Sequence, residues 1–203
     1  MAREAFELAE SIEASSDRTV FNRLNALVVI GRVRARRGEP RAWQSLDAAL
    51  ELAEQIGELQ RVAPVRSARA EAAWLDNDHE RAAAEATPAY KLAVEKGHVW
   101  FAAEPALWLW RSEQLFELPI ALPPPFAAHV AGDPTTAAQL WEQVGCPYEQ
   151  ADALADTDDV DSVRRSLEIA QSLGARPLAA RAVGRLRRLG ARPASPRPAS
   201  RLT

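Results

Sequence analysis

Cysteine and long apolar runs are scarce in this sequence. The first scarcity excludes an internal disulfide, and the second argues against a membrane span or a secretory signal. The 203 residues include one cysteine, Cys146, which cannot form a disulfide within the chain. A lone cysteine fits a reducing compartment, and we expect Cys146 to be structural and not a catalytic thiolate. The longest apolar run, residues 26–31, is too short to span a bilayer, and the acidic start lacks the apolar core of a secretory signal. We therefore expect a soluble, cytoplasmic protein.

Recognisable nucleotide and metal motifs are also missing. The nine glycines are scattered along the chain, and none forms the Gly-x-x-x-x-Gly-Lys-Ser/Thr loop that holds nucleotide phosphates. His79, His98 and His129 lack the spacing of paired metal ligands. The aspartates between residues 152 and 161 lack the glycine and the terminal glutamate of a calcium loop. The sequence thus predicts a protein that is not an enzyme and has no cofactor or metal site.

The C-terminal end of the chain has no acidic residues. Residues 176–203 hold eight arginines and no acidic residue, whereas residues 1–175 hold 17 basic and 28 acidic residues, a net charge of −11. Such a basic end is either a solvated tail or a segment that lies next to nucleic acid. Arg181, Arg185 and Arg188 fall on one helical stripe, so we consider them as phosphate contacts, with a solvated outer face as the alternative.

A six-residue motif recurs along the chain. It consists of an aliphatic residue, alanine or tryptophan, two variable residues, a position that is usually apolar, and glycine. Copies begin at Leu52, Leu92, Leu140 and Ile169, and a degenerate copy begins at Leu8, so the successive spacings are 44, 40, 48 and 29 residues. Irregular periods of this size indicate stacked helical hairpins. The glycine follows the last apolar position of a helix, where a left-handed C-cap is easiest without a Cβ.

The apolar spacing predicts the helices that pair with the motif helices. We expect these partners over residues 19–37, 61–75, 99–114 and 148–155. Small residues such as Gly31 should let neighbouring helices approach closely. Asp158 and Asp159 should cap the helix that ends at Gly174.

Prolines mark the expected irregularities and the last helix. Pro88 should kink or split the helix over residues 80–96, and residues 115–125 should form a long proline-rich loop. Pro177 and Gly190 should begin and end a last helix over residues 177–189.

Together these patterns predict an all-α fold, a tetratricopeptide-like right-handed superhelix of stacked antiparallel helix pairs over residues 1–190. Residues 191–203 should form a flexible linker rich in arginine and proline. The first motif copy reads as the second helix of a hairpin whose first helix is missing. We therefore expect residues 2–14 to be poorly covered and the array to be an excised piece.

Two segments resemble a known family. They are residues 132–149, with Gly132-Asp133-Pro134 and Gly145-Cys146-Pro147-Tyr148-Glu149, and residues 173–190, which end in Arg185-Leu186-Arg187-Arg188-Leu189-Gly190. Both are similar to the C-terminal tetratricopeptide-like region of large bacterial ATP-dependent LuxR-type transcriptional regulators, some of whose relatives carry a nucleotide cyclase domain. The resemblance is specific over residues 125–190 and looser over residues 19–113. The ATPase and the helix-turn-helix of that family are both missing from the chain.

The resemblance implies a non-catalytic scaffold that couples signals between the ATPase and the DNA reader. Its partner would be a protein or peptide, an inducer or the other domains of a parent regulator, with nucleic acid reached only through the helix-turn-helix. The alternatives are part of an ATPase or nucleotide-cyclase polypeptide, and direct DNA contact through the arginine-rich end.

The tryptophans offer a candidate partner surface. Trp108 and Trp110 are about 200° apart around one helix and cannot share a face. We expect one ring in the core and the other against a neighbour or a loop. A groove lined by Trp110 and Phe116 is a candidate site for a partner peptide, with core packing as the alternative.

Overall fold

The computed structural model describes residues 2–14, 19–114 and 117–192, so most of the predicted linker over residues 191–203 lies outside it. The described residues form eleven α-helices and no β-strand, which confirms the all-α prediction. None of these helices is both long and apolar enough to cross a membrane. In chain order they are α1 (Ala2–Ala14), α2 (Val20–Arg37), α3 (Ala42–Ile56), α4 (Leu59–Leu75), α5 (His79–Glu95), α6 (Val99–Arg111), α7 (Pro124–Val130), α8 (Pro134–Gln143), α9 (Pro147–Leu154), α10 (Val160–Ser172) and α11 (Arg176–Arg188).

Glycine follows the helices that carry the four complete motif copies. Gly57, Gly97, Gly145 and Gly174 have positive φ angles between 64° and 73°. This left-handed conformation is strained for a residue with a Cβ, and it lets the chain leave the helix sharply. The C-caps that the motif predicts are therefore confirmed.

Aspartate begins several helices. The carboxylates of Asp78, Asp133 and Asp159 each accept a hydrogen bond from the backbone N–H three residues later, at 3.0, 3.0 and 2.7 Å. These bonds satisfy donors that the first turn of a helix leaves without a partner. Asp159 caps α10 as predicted, whereas Asp158 pairs with Arg185 of α11.

Neighbouring helices pack in pairs, and α4 lies in contact with α2, α3, α5 and α6. Small residues make the contacts close. A Cβ on Gly31 would lie 2.7 Å from the side chain of Leu46, so α3 approaches α2 closely at this glycine, as predicted. The residue that the motif buries is its alanine, which is at most 4% exposed in four copies: Ala9, Ala53, Ala93 and Ala170.

Three helices continue through an internal proline. The split expected at Pro88 does not occur, because α5 runs unbroken over 17 residues. Pro88 removes the helical hydrogen bond that a residue at this position would donate to the carbonyl of Ala84, and the hydroxyl of Thr87 donates to the carbonyl of Ala83 at 2.7 Å. Pro64 lies inside α4 and Pro105 lies inside α6, and both helices are likewise continuous.

The proline-rich connection is shorter than the sequence predicts. The expected loop over residues 115–125 ends at α7, whose first two residues are Pro124 and Pro125. Proline is tolerated there because the first N–H groups of a helix have no intrahelical acceptor. With only seven residues, α7 is too short for an apolar period to show in the sequence.

The first and last helices both pack on α2. In α1, Ala9 is buried beside Ile30 of α2, whereas Leu8 is 62% exposed. In α11, Nε of Arg176 donates to the carbonyl of Arg37 at the end of α2, at 2.6 Å. The second helix is thus in contact with both the first and the last.

Candidate functional site

Six helices contribute to a cavity of about 410 Å³, which we call the inner cavity. Its lining comes from α2, α4, α6, α7, α8 and α9 and the turn before α9. The volume lies within the range of roughly 300–1,000 Å³ that small-molecule sites occupy. The lining includes six aromatic residues: Trp100, Phe101, Trp108, Phe126, Trp141 and Tyr148.

Helical periodicity explains why these side chains converge. In α6, the lining residues Trp100, Glu104 and Trp108 are spaced four apart, and in α2 Arg32 and Arg36 have the same spacing. Residues four apart lie on one face of a helix. Both helices therefore present one face to the inner cavity.

Charged groups from four helices alternate in sign along the lining. Arg32 makes two hydrogen bonds to the carboxylate of Glu104, at 3.2 and 2.7 Å, and its Nε lies 3.2 Å from Glu71. Arg36 binds the same Glu71 at 2.6 Å and Glu149 at 2.9 Å. We call the series Glu104–Arg32–Glu71–Arg36–Glu149 the charge ladder. Three carboxylates against two guanidinium groups give it a net charge of −1.

In the charge ladder, burial and ionic contact shift the pKa values in opposite directions. Burial lowers the pKa of Arg32 and Arg36, but the neighbouring carboxylates raise it more, so both pKa values lie above the ordinary value of arginine. Burial raises the pKa of Glu104, but Arg32, together with Arg36 and Ser67, more than offsets this effect and the pKa is lowered. These three groups are therefore charged at neutral pH.

Tyr148 supports the charge ladder through its ring. The guanidinium carbon of Arg36 lies 3.7 Å from the ring centre, which is a cation–π contact. Burial raises the pKa of the Tyr148 phenol well above its ordinary value, so the phenol stays neutral at physiological pH. The tyrosine thus acts as an apolar surface that holds the arginine and not as an acid.

A second ionic group lies where α6, α9 and α11 meet. Arg111 pairs with Asp152 and Asp156 at 2.7 Å each, and Arg181 pairs with the same aspartates at 2.8 and 3.3 Å. Nε2 of His129 lies 2.9 Å from Asp156. We call this set the arginine–aspartate cluster. Burial raises the pKa of both aspartates, but the two arginines more than offset it, and both pKa values lie below the ordinary value.

Four of the five predicted site residues come together. Trp110, Arg181, Arg185 and Arg188 line a second cavity of about 510 Å³. Phe116 lies outside the described residues, so its predicted groove with Trp110 stays a prediction.

The two neighbouring tryptophans of α6 differ in burial as the sequence predicts. Trp108 is buried, whereas Trp110 is half-buried with its ring centre 5.6 Å from that of His129. One ring therefore packs in the core and the other against a neighbouring helix, which confirms the prediction.

The arginine stripe is not wholly a solvated outer face. That alternative is wrong for Arg181, whose side chain is 17% exposed and pairs with Asp152. Arg185 pairs with Asp158. Phosphate contact by Arg181, Arg185 or Arg188 stays a prediction, and at the first two a phosphate would have to displace an aspartate.

Sequence patterns alone do not identify the charge ladder. Charged residues on helices usually face water, so its arginines and glutamates read as surface groups. Glu104 is the exception, since it is the only charged residue between Val99 and Trp110. A charge within such an apolar helix needs a partner when it is buried. This lone glutamate is the signal that predicts a paired charge inside the fold.

The titratable groups of the described residues do not form a metal site. No three histidine, cysteine, aspartate or glutamate residues within the described ranges are grouped so that they could hold a metal ion. Cys146 lines the inner cavity, where burial raises the pKa of its thiol and the charge of Glu149 raises it further. The neutral thiol is therefore favoured.

Comparison of the chain with known protein families, curated proteins and solved structures gives no match.

Proposed function

We propose that this chain is a non-catalytic interaction scaffold that couples occupancy of the inner cavity to the arrangement of its helices. The observation that carries the proposal is the charge ladder, which joins α2, α4, α6 and α9 along the lining of a cavity of small-molecule size. Its contacts bridge up to 113 residues of sequence. A ligand that binds one arrangement of the ladder better than another shifts the contacts of all four helices.

We also propose a tetratricopeptide-like architecture and an origin in a larger transcriptional regulator. Paired helices and the glycine C-caps of the motif support a tetratricopeptide-like superhelix. The resemblance of residues 132–149 and 173–190 supports a segment of a LuxR-type transcriptional regulator. In that setting the scaffold passes a signal from an inducer or a protein partner to other domains of a cytoplasmic regulator.

Hydrogen exchange on the full chain tests the coupling. A panel of small molecules is first screened for compounds that raise the Tm, and exchange is then measured with and without each compound that does so. We expect exchange to slow in α2 and α9 together, because Arg36 and Glu149 join them. In Glu149→Gln the same compound should protect α2 much more than α9. Protection confined to one of the two helices in the unaltered chain contradicts the proposal.

Two alternatives require their own measurements. For an ATPase or cyclase polypeptide, assays of the purified chain should give ATP hydrolysis and cyclic-nucleotide formation at background rates. For direct DNA contact, a titration at low and high salt should show only weak binding, because Arg181 and Arg185 already pair with aspartates of their own chain. Activity, or tight salt-dependent DNA binding, would reject the scaffold as the main function.

A further inference from the structure

We propose that the inner cavity binds a small organic cation, an ammonium group carried on a compact apolar body. The proposal rests on the proposed function, because it names the class of ligand for the same cavity. The ammonium would lie against the carboxylate ends of the charge ladder, and the apolar body would contact the aromatic lining.

The charge ladder leaves its negative ends accessible. Glu71 at its centre is only 2% exposed and lies between the two arginines. Glu104 and Glu149, at the two ends, have side chains that are 34% and 31% exposed. Both line the inner cavity. Arg36 binds Glu149 through Oε1, which leaves Oε2 as an acceptor for a ligand.

The two arginines of the ladder do not favour an anion. Arg32 and Arg36 each contact two carboxylates already. An anionic ligand would have to displace one of these carboxylates, and it would be repelled by a ladder whose three carboxylates outnumber its two guanidinium groups. A cation instead supplies the one positive charge that the ladder lacks.

The aromatic lining suits the same ligand. Trp100 is 67% exposed although the same helix buries Trp108, so its indole face is available to a ligand. Phe126 and Trp141 pack edge to face, with ring centres 5.0 Å apart. Aromatic faces attract ammonium groups, and more strongly where water is partly excluded. Rings and carboxylates in one cavity therefore favour an organic cation over a metal ion or a neutral molecule.

Matched probes on the full chain test the proposal. Tryptophan fluorescence and calorimetry are followed while adding phenethylammonium, tetramethylammonium, the neutral 2-phenylethanol or the anionic phenylacetate. We expect both ammonium probes to bind and to change the fluorescence. Phenethylammonium should bind about tenfold more tightly than 2-phenylethanol, and phenylacetate should bind more weakly still.

Variants locate the site. Glu149→Gln and Trp100→Ala should each weaken phenethylammonium binding about tenfold while the Tm shows that the chain is folded. Glu168→Gln, which removes an exposed carboxylate of α10, is the matched control and should leave the affinity unchanged.

The outcomes separate the two proposals. If 2-phenylethanol or phenylacetate binds as tightly as phenethylammonium and Trp100→Ala weakens it, the cation proposal is overturned and a ligand-coupled scaffold remains. If no ammonium probe binds at concentrations up to about 10 mM, or if Glu149→Gln binds as tightly as the unaltered chain, the cation proposal is also overturned. The scaffold itself fails only through the hydrogen-exchange, activity and DNA-binding measurements.

Discussion

Arg36 and Glu149 lie 113 positions apart in the sequence, and Nη2 of the arginine lies 2.9 Å from Oε1 of the glutamate. Arg36 also binds Glu71 at 2.6 Å and stacks on Tyr148. One side chain of α2 thus contacts α4 and α9 at once.

Replacing Arg36 by methionine should destabilise the chain. The methionine keeps much of the packing but leaves the buried Glu71 with only the weaker contact to Arg32, at 3.2 Å. Breaking a buried ion pair costs about 3–5 kcal/mol, and we expect the lower end of that range in urea melts. Arg164→Met is the control, because Arg164 forms an exposed pair within α10 whose loss should cost less than about 0.5 kcal/mol. Equal losses in the two variants would show that the charge ladder adds no stability.

Adding one methyl group to Gly31 should cost about 1–3 kcal/mol of unfolding free energy. The new Cβ would lie 2.7 Å from the side chain of Leu46, which is fully buried and cannot move away freely. Gly184→Ala is the matched control in α11, where the nearest atom is the flexible end of Arg188 at 3.7 Å. That change should stabilise the helix by up to about 1 kcal/mol. The two glycine-to-alanine changes should therefore have opposite signs in thermal or urea unfolding.

The arginine–aspartate cluster should make stability depend on acid pH. The pKa values of Asp152 and Asp156 are lowered in the folded chain, so each aspartate contributes stability above its unfolded pKa of about 4. That contribution is lost as the pH falls below about 5 towards the folded values. The double change Asp152→Asn with Asp156→Asn should lower stability at pH 7 and flatten its decline between about pH 5 and 3.

Urea melts at several pH values check the slope. Asp161→Asn, at an exposed position of α10, should leave both the stability and its pH dependence nearly unchanged. If the stability of the double variant falls as steeply towards acid pH as that of the unaltered chain, the pH dependence comes from groups other than Asp152 and Asp156.

Leu186→Asp should destabilise the last helix. Leu186 is fully buried against Val163 and Leu167 of α10, so an aspartate there loses apolar burial and places a carboxylate without a partner in the seam. We expect a cost on the order of 2–4 kcal/mol in urea melts. Leu8→Asp makes the same chemical change at an exposed position of α1 and should cost well under about 1 kcal/mol. Similar losses would mean that α11 is not packed as the structure shows.

Local patterns made much of the fold predictable from the sequence. In every complete copy of the motif, the chain leaves the helix through a left-handed residue, which favours glycine. The capping aspartate of α10 needs only a backbone N–H donor three residues later. Such features depend on a few adjacent residues and are therefore visible in the sequence. The small Gly31 also predicts a close helix contact, although not that Leu46 is the neighbour.

The site could not be predicted in the same way. Glu71 and Arg36 are 35 residues apart, and Glu104 and Arg32 are 72 apart. Helical spacing places each of them on a face of its own helix but does not state which faces meet. The continuous α5 likewise depends on packing along its whole length, which overrides the local penalty at Pro88.

The contact between Arg176 and the carbonyl of Arg37 bridges 139 residues of sequence. In a linear array of repeats each hairpin touches only its neighbours, and hairpins can unfold one after another. Here α2 is bound both to α9, through Arg36 and Glu149, and to α11, through Arg176. Opening a hairpin between α2 and α11 would therefore also strain these long-range contacts. The segment from α2 to α11 should therefore unfold as one cooperative unit, with a folding rate limited by the closing of this long loop.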